Sequence, residues 1–110
     1  MNLTPEDRAW LDAYCRALDE RFPGLVEEMI LFGSKARGTA TADSDMDLLV
    51  VIRKGDWRVK DEVALPGYEL EIGTGVVSSI IVYTKEEWEE RRQERAPFWQ
   101  TVSRDGVDVK

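Results

Sequence analysis

The chain has 110 residues, 43% of them hydrophobic, and a formal net charge of −7, which fits one domain with a true core over residues 1–110. The acidic balance argues against nucleic acid as the main partner, because a phosphate backbone requires a basic patch. The chain has one cysteine and no histidine, which excludes a disulfide framework, zinc sites built on Cys or His, and nucleophiles activated by histidine. The single cysteine predicts a cytoplasmic protein. The lack of a long apolar run predicts that it has no membrane partner.

The first predicted element is a helix from residue 5 to about residue 21. Thr4 is a good N-cap and Pro5 suits the first helical turn. Apolar side chains then recur at helical spacing; they are Leu11, Tyr14, Cys15, Leu18 and Phe22. The Pro–Gly pair at 23–24 ends this helix, and residues 25–32 predict the first strand.

The middle of the chain predicts a short helical turn at 35–38, a polar loop at 39–44 and a second strand at 46–53. The second strand is apolar on both faces after its first residues, as in a central strand. A helix follows over about 57–72. The Pro–Gly pair at 66–67 should kink or split that helix, because proline lacks the backbone N–H that a helix uses.

The last third of the chain begins with a β-branched run at 76–83, which predicts a third strand. Thr84 and Glu87 then form a capping box that starts a further helix. A short helix at 97–104 and a turn into residues 107–109 complete the chain. This alternation of strands and helices predicts the α/β (α+β) class.

The most informative motif lies between the first two strands, where Gly33 and Ser34 end one apolar run and Asp45 and Asp47 precede the next. Side chains two residues apart on a strand point the same way, so the carboxylates, roughly 6–7 Å apart along the backbone, can converge on Mg²⁺. Gly33 allows close approach of a ligand, and Ser34 offers a hydroxyl and an N–H to phosphate. The pattern is typical of a site that joins a divalent metal to a nucleotide phosphate.

Two cations follow the glycine turn directly. Lys35 and Arg37 add positive charge beside the predicted phosphate position. Their side chains would either stabilise the negative charge of a bound phosphate or lie solvated at the surface. The sequence leaves both alternatives open.

Segments 31–38 and 44–51 together resemble the signature of the minimal nucleotidyltransferase family, in the DNA polymerase β superfamily, which has Gly-Ser, about ten residues and Asp-x-Asp. The resemblance implies one nucleotidyltransferase-like domain over residues 1–110, with a mixed sheet of about three to four strands packed by helices. It implies Mg²⁺- or Mn²⁺-dependent transfer of a nucleoside monophosphate from an NTP, ATP before the others, to an acceptor hydroxyl. The implied catalytic metal ligands are Asp45 and Asp47. The implied nucleotide contacts are Gly33, Ser34, Lys35, Arg37 and Ser44.

The chain departs from this family at one position. The family usually has a third carboxylate on a later strand, where it helps to activate the acceptor. The predicted strand at 76–83 has no acidic residue, and Ser78 or Ser79 occupies that region. We do not expect Glu69 or Glu71 to reach the site from the preceding helix. Either two aspartates suffice for a slow or easily activated transfer, or the chain binds nucleotide without efficient turnover.

Little of the chain remains outside the predicted catalytic core to bind an acceptor. The acceptor is therefore expected to be a small molecule, a second subunit or a separate protein. Minimal family members are often antitoxins paired with a helical HEPN toxin, so the resemblance implies such a partner or a homo-oligomer. Three hypotheses follow: an active metal-dependent nucleotidyltransferase, a catalytically weak nucleotide-binding or toxin-neutralising module that acts by protein binding, and a structural α/β domain without a ligand.

Overall fold

The computed structural model describes residues 1–41 and 43–110. Its elements, in chain order, are α1 (Pro5–Arg21), β1 (Val26–Phe32), α2 (Gly33–Arg37), β2 (Met46–Ile52), α3 (Trp57–Thr74), β3 (Ser78–Thr84), α4 (Lys85–Gln93), α5 (Pro97–Asp105) and β4 (Val107–Asp108). The predicted α/β class is confirmed. The predicted loop at 39–44 includes Ala42, which lies outside the described residues.

The strands form one four-stranded sheet in the order β3-β2-β1-β4. β1 pairs antiparallel with β2 and with β4, whereas β2 and β3 run parallel. The sheet is therefore mixed, as the family resemblance implies. β2 lies inside the sheet, and every β2 residue except Asp47 is buried, which explains why its sequence is apolar on both faces.

Helices cover both faces of the sheet. α1 and α3 pack on the face that presents Met46, Leu48, Val50 and Ile52 of β2. The opposite face presents Leu49 and Val51 to side chains of α4 and α5. Because side chains alternate along a strand, Asp47 belongs to the α4/α5 face.

The Pro–Gly pair is expected from the sequence to kink or split α3, and the split is wrong, because α3 is continuous from Trp57 to Thr74. Pro66 and Gly67 are buried against α1. The Trp10 indole N–H donates to the Gly67 carbonyl at 3.0 Å, and the Tyr14 hydroxyl donates to the Val63 carbonyl at 2.8 Å. These tertiary contacts hold the helix together where local propensity is weakest. Among the helices of residues 1–41 and 43–110, none is long and apolar enough to cross a membrane.

Candidate active site

The turn between β1 and α2 is shaped by Gly33, which has a φ of +76°. Its Cα faces the Asp47 carboxylate: an added Cβ would overlap Oδ2 of Asp47 and lie 3.0 Å from its Cγ. Glycine is therefore required at this position for two reasons, the left-handed backbone conformation and the close approach of the carboxylate. α2 has five residues, and the chain leaves it at Gly38, with a φ of +80°.

Asp47 lies in β2, in register with Phe32 of β1 and Ser79 of β3. Asp45 precedes the strand and is exposed, whereas Asp47 is half-buried. Burial raises the pKa of Asp47, the charge of Asp45 raises it further, and the charges of Arg37 and Lys35 oppose the shift. The predicted metal ligands and cations therefore lie close enough to influence one another.

The raised pKa of Asp47 has a consequence for stability. A carboxyl whose pKa is higher in the folded state than in the unfolded chain contributes stability at low pH, and this stability is lost as the pH rises through the folded pKa. Without metal, we expect Asp47→Asn to unfold at a higher temperature than wild type near neutral pH. The difference should vanish below the ordinary aspartate pKa of 3.8.

Thermal unfolding in EDTA across this pH range measures the effect. Added magnesium should reduce the difference in unfolding temperature between Asp47→Asn and wild type, because it binds and stabilises wild type alone. If Asp47→Asn unfolded near neutral pH at the same temperature as wild type or at a lower one, the ionised Asp47 carboxylate would not destabilise the fold.

Lys35 is not a solvated surface residue, since its side chain is 8% exposed. Its Nζ lies 2.7 Å from Oδ2 of Asp7. The same Asp7 oxygen accepts the backbone N–H of Thr4 at 3.0 Å, as part of the α1 capping box. A buried ion pair thus joins the first turn of α1 to α2. The sequence gives no sign of the pairing of Asp7 with Lys35.

We expect Lys35→Met to lower the free energy of unfolding by about 3–5 kcal/mol, because it leaves a buried carboxylate without its cation. Burial pushes the pKa of Asp7 upward, but its hydrogen bonds with Lys35 and Thr4 outweigh burial and hold the pKa below its ordinary value. The stability linked to Asp7 is therefore present above the unfolded aspartate pKa and lost as the pH falls.

Urea denaturation of Lys35→Met and of the double variant Asp7→Asn/Lys35→Met measures this cost. The double variant should recover part of the loss, because it removes the unpaired charge as well. Equal stability of the single and double variants would show that the pair is not coupled.

The other predicted nucleotide contacts lie around the same turn. Arg37 is partly exposed, and its Nη1 is 3.9 Å from Oδ2 of Asp105 at the end of α5. Ser44 shapes the loop before Asp45, since its Oγ accepts the Thr41 backbone N–H at 2.9 Å. Ser34 is half-buried beside Gly33. The side chains of Arg37 and Ser34 are thus accessible to a ligand.

A cavity of about 370 Å³ opens beside Asp45. Its walls come from the start of α1, from α2, from the loop before β2 and from the segment between α3 and β3. They include Lys35, Ser44 and Asp45 among the predicted site residues. The other four, Gly33, Ser34, Arg37 and Asp47, lie outside this lining, so the site has two adjoining parts that meet at Asp45.

The position beside Asp47 on β3 is occupied by a hydroxyl, because Ser79 is its register partner. Ser78 points to the opposite face, where its N–H and Oγ bind Oε1 of Glu71 at 2.8 and 3.3 Å. Glu71 is thereby held on the α3 side of the sheet. In residues 1–41 and 43–110, no group of three or more acidic, histidine or cysteine side chains could hold a metal. The carboxylate pair fits Mg²⁺, which proteins usually bind with one or two carboxylates plus substrate phosphates.

A four-stranded mixed sheet covered by helices, with a glycine turn packed against an Asp-x-Asp pair, is the arrangement of the nucleotidyltransferase class. The chain belongs to the nucleotidyltransferase domain family, whose model matches residues 11–98.

Similar proteins are found in sequence and in structure. Over 46 residues the chain is 41% identical to the Methanocaldococcus jannaschii protein named "Putative protein adenylyltransferase MJ0604"; the match covers 42% of this chain and 45% of that protein. The chain thus spans less than half the length of this relative.

Two toxin–antitoxin crystal structures share the fold. One, of an MntA–HpeT mutant, has 19% identity, a TM-score of 0.57 and coverage of 90% of this chain and 70% of that chain. The other, with AMP-PNP, has 20% identity, a TM-score of 0.56 and coverage of 89% and 70%.

Proposed function

We propose that this chain is a metal-dependent nucleotidyltransferase that transfers a nucleoside monophosphate from an NTP, with ATP preferred, to a hydroxyl of a partner protein. The observation that supports this most is the close approach of the Gly33 turn to Asp47, with Asp45 two residues before it. The name of the M. jannaschii relative and the AMP-PNP in one structural neighbour favour adenylyl transfer.

The proposed reaction is an in-line substitution at the α-phosphate. The acceptor oxygen forms a bond to the α-phosphorus, the bond from that phosphorus to the bridging oxygen breaks, and pyrophosphate leaves with the electron pair. A bound Mg²⁺ would neutralise charge on the phosphates and on the leaving group. In this scheme Asp45 and Asp47 hold the metal, and Gly33 and Ser34 present N–H and hydroxyl groups to the β- and γ-phosphates.

The remaining predicted residues have supporting roles in this proposal. Arg37 is accessible and adds positive charge near the phosphates, and Ser44 fixes the loop that presents Asp45. Lys35 acts by placing α2, because Asp7 already engages its ammonium. Ser79 is a poor base near neutral pH. The acceptor proton therefore passes to water or to a group on the partner, and turnover by this chain alone should be slow.

We further propose that residues 1–110 form a single nucleotidyltransferase-like domain that works in the cytoplasm. The partner protein that we favour is a helical HEPN-type toxin, with this chain as its antitoxin. The two toxin–antitoxin structures that share the fold favour a toxin as the partner, and the helical HEPN type is what the family resemblance implies.

Calorimetric titration with ATP, GTP, CTP and UTP, each with and without Mg²⁺, tests the nucleotide site. We expect metal-dependent binding that the double variant Asp45→Asn/Asp47→Asn loses. Transfer is tested with ATP labelled at the α-phosphate, whose label should appear on protein while pyrophosphate is released. Failure of every nucleotide to bind at millimolar concentration would reject the proposal and favour a structural domain.

A second candidate function is neutralisation of the partner by binding alone. The hydroxyl of Ser79 at the position beside Asp47 favours it, because the family usually has a third carboxylate on this strand. In that case Asp47→Asn would neutralise the partner as well as wild type does. Loss of neutralisation in Asp47→Asn would assign the effect to transfer.

A further inference from the structure

α3 has apolar side chains on two opposite faces. One face packs on the core through Val59, Val63 and Leu70. The opposite face exposes Trp57, Leu65, Tyr68 and Ile72, with exposed fractions of 66, 52, 41 and 93%. At 3.6 residues per turn, these four positions fall within a sector of about 80° along the helix, which we call the α3 stripe. A helix that is apolar on both sides usually has a packed partner on both.

The α3 stripe is a preformed surface. The Tyr68 hydroxyl donates to the Ile80 carbonyl at 3.4 Å and accepts the Ile80 N–H at 3.3 Å, which fixes its ring. Oε1 of Glu71 likewise accepts a hydrogen bond from the Ser78 N–H. These side chains cover part of the free edge of β3, so strand addition is blocked there. A partner would therefore dock on the side chains of α3.

The α3 stripe leads to the candidate active site. α3 ends at Thr74, and residues 74–77 form one wall of the cavity that also contains Asp45. Ile72 comes two residues before this wall segment in the sequence, and Val77, which is 54% exposed, is its last residue. A protein seated on the α3 stripe would therefore lie beside the mouth of the cavity.

The charges around the α3 stripe indicate what covers it. Asp61 is exposed within the line of the stripe, and Glu62 and Glu69 are exposed along one flank. The nearby cations are occupied. Lys60 binds Glu87 at 2.7 Å, and the Arg58 guanidinium lies 5.4 Å from the centre of the Trp57 ring. Arg21 lies 3.8 Å from Glu69 and offsets part of its charge. The surface is thus apolar with an acidic centre at Asp61 and a weakly acidic flank.

A second copy of this chain fits the α3 stripe poorly. Positions 61 and 69 lie four residues on either side of Leu65. A two-fold pairing of antiparallel helices about Leu65 would place Asp61 opposite Glu69 of the second copy, and both molecules have a net charge of −7. Like charges in a desolvated interface are unfavourable, so a basic partner is favoured over self-association.

We propose that the α3 stripe is the docking surface for the protein that accepts the nucleotide, and that this protein covers it with an apolar face that places lysine or arginine opposite Asp61. The inference rests on the proposed function for the identity of the partner as an acceptor. Docking here holds a hydroxyl-bearing segment of the partner at the cavity beside Asp45, and it supplies affinity that the small polar cavity does not.

The test compares wild type, Ile72→Glu, Asp61→Lys and the control Gln93→Glu. The control adds the same charge as Ile72→Glu, but at an exposed position of α4. Each is incubated with Mg²⁺, α-phosphate-labelled ATP and a lysate of the cells that encode this chain, harvested soon after repression of its gene. We expect Ile72→Glu and Asp61→Lys to need about tenfold more lysate for half-maximal labelling, as for loss of one central contact. Their affinity for Mg²⁺-ATP should equal that of wild type and of Gln93→Glu.

Unchanged labelling by Ile72→Glu would overturn the docking inference while leaving the transfer reaction intact. If wild type transfers no label, the proposed function fails, and retention on immobilised chains decides about the surface. The docking inference is supported if wild type and Asp45→Asn/Asp47→Asn both retain a protein stoichiometrically, whereas Ile72→Glu and Asp61→Lys do not retain it. Equal retention by all variants, or no retention by any, overturns the inference. A wild-type dimer in sedimentation that Ile72→Glu dissociates would assign the stripe to a second copy and also overturn it.

Discussion

Asp47→Asn should remove magnesium-dependent nucleotide binding, with an affinity loss of more than about 100-fold, since even residues that only orient a metal ligand contribute 10–100-fold. Asparagine keeps the size of the side chain but loses the charge that a hard cation requires. Asp47 is also the less adaptable of the two aspartates, because it is fixed in the central strand β2 and packed against Gly33. Titration of Mg²⁺-ATP into wild type and variant measures the loss.

Asp12→Asn is the matched control for this prediction. Asp12 is exposed on α1, and its substitution makes the same chemical change away from the site. It should bind Mg²⁺-ATP as wild type does. If the two variants lost affinity equally, the effect would come from net charge, and Asp47 would not be a metal ligand. Opposite effects of Asp47→Asn on nucleotide affinity and on metal-free thermal stability would mark a residue that is retained for function at a cost in stability.

Much of the fold could be predicted from local sequence rules. The predicted N-cap at Thr4 and the predicted capping box of Thr84 and Glu87 are both present as hydrogen bonds. The apolar run of β2 predicted a central strand, and β2 lies between β1 and β3. These features depend on residues a few positions apart or on burial of a whole segment, which the order of residues reveals directly.

The features that the sequence did not reveal depend on distant contacts. The pairing of Lys35 with Asp7 joins residues 28 positions apart, and it depends on the placement of the first turn of α1 beside α2. The continuity of α3 through Pro66 depends on contacts with α1. The exposure of Ile72 could not be predicted either, because periodicity shows which residues are apolar and not which face meets the core. In each case tertiary packing decides among locally allowed alternatives.

The candidate site is intermediate between these cases. The spacing of Gly33, Asp45 and Asp47 predicted that the turn and the carboxylates face one ligand. The structure adds that Gly33 and Asp47 touch each other. This contact makes the glycine a direct determinant of the carboxylate position, which leads to the second prediction of a large effect.

Gly33→Ala should displace the Asp47 carboxylate and lower Mg²⁺-ATP affinity by about tenfold or more, since small errors in the placement of a reacting group are costly. It should also lower the free energy of unfolding. Alanine at a φ of +76° costs about 1–2 kcal/mol in backbone energy, and the overlap with the Asp47 carboxylate adds about 1–3 kcal/mol. Urea denaturation and nucleotide titration measure the two losses.

Gly24→Ala separates backbone strain from steric overlap. Gly24 has nearly the same φ, +75°, but an added Cβ there meets nothing within 4 Å, so this variant should lose only the backbone energy and keep nucleotide affinity. The overlap itself is isolated by introducing Gly33→Ala into an Asp47→Gly background, because all three atoms that the methyl group would meet belong to the Asp47 side chain. In that background Gly33→Ala should cost no more stability than Gly24→Ala does. An equally large loss with and without the carboxylate would mean that the turn, and not its contact with Asp47, requires glycine.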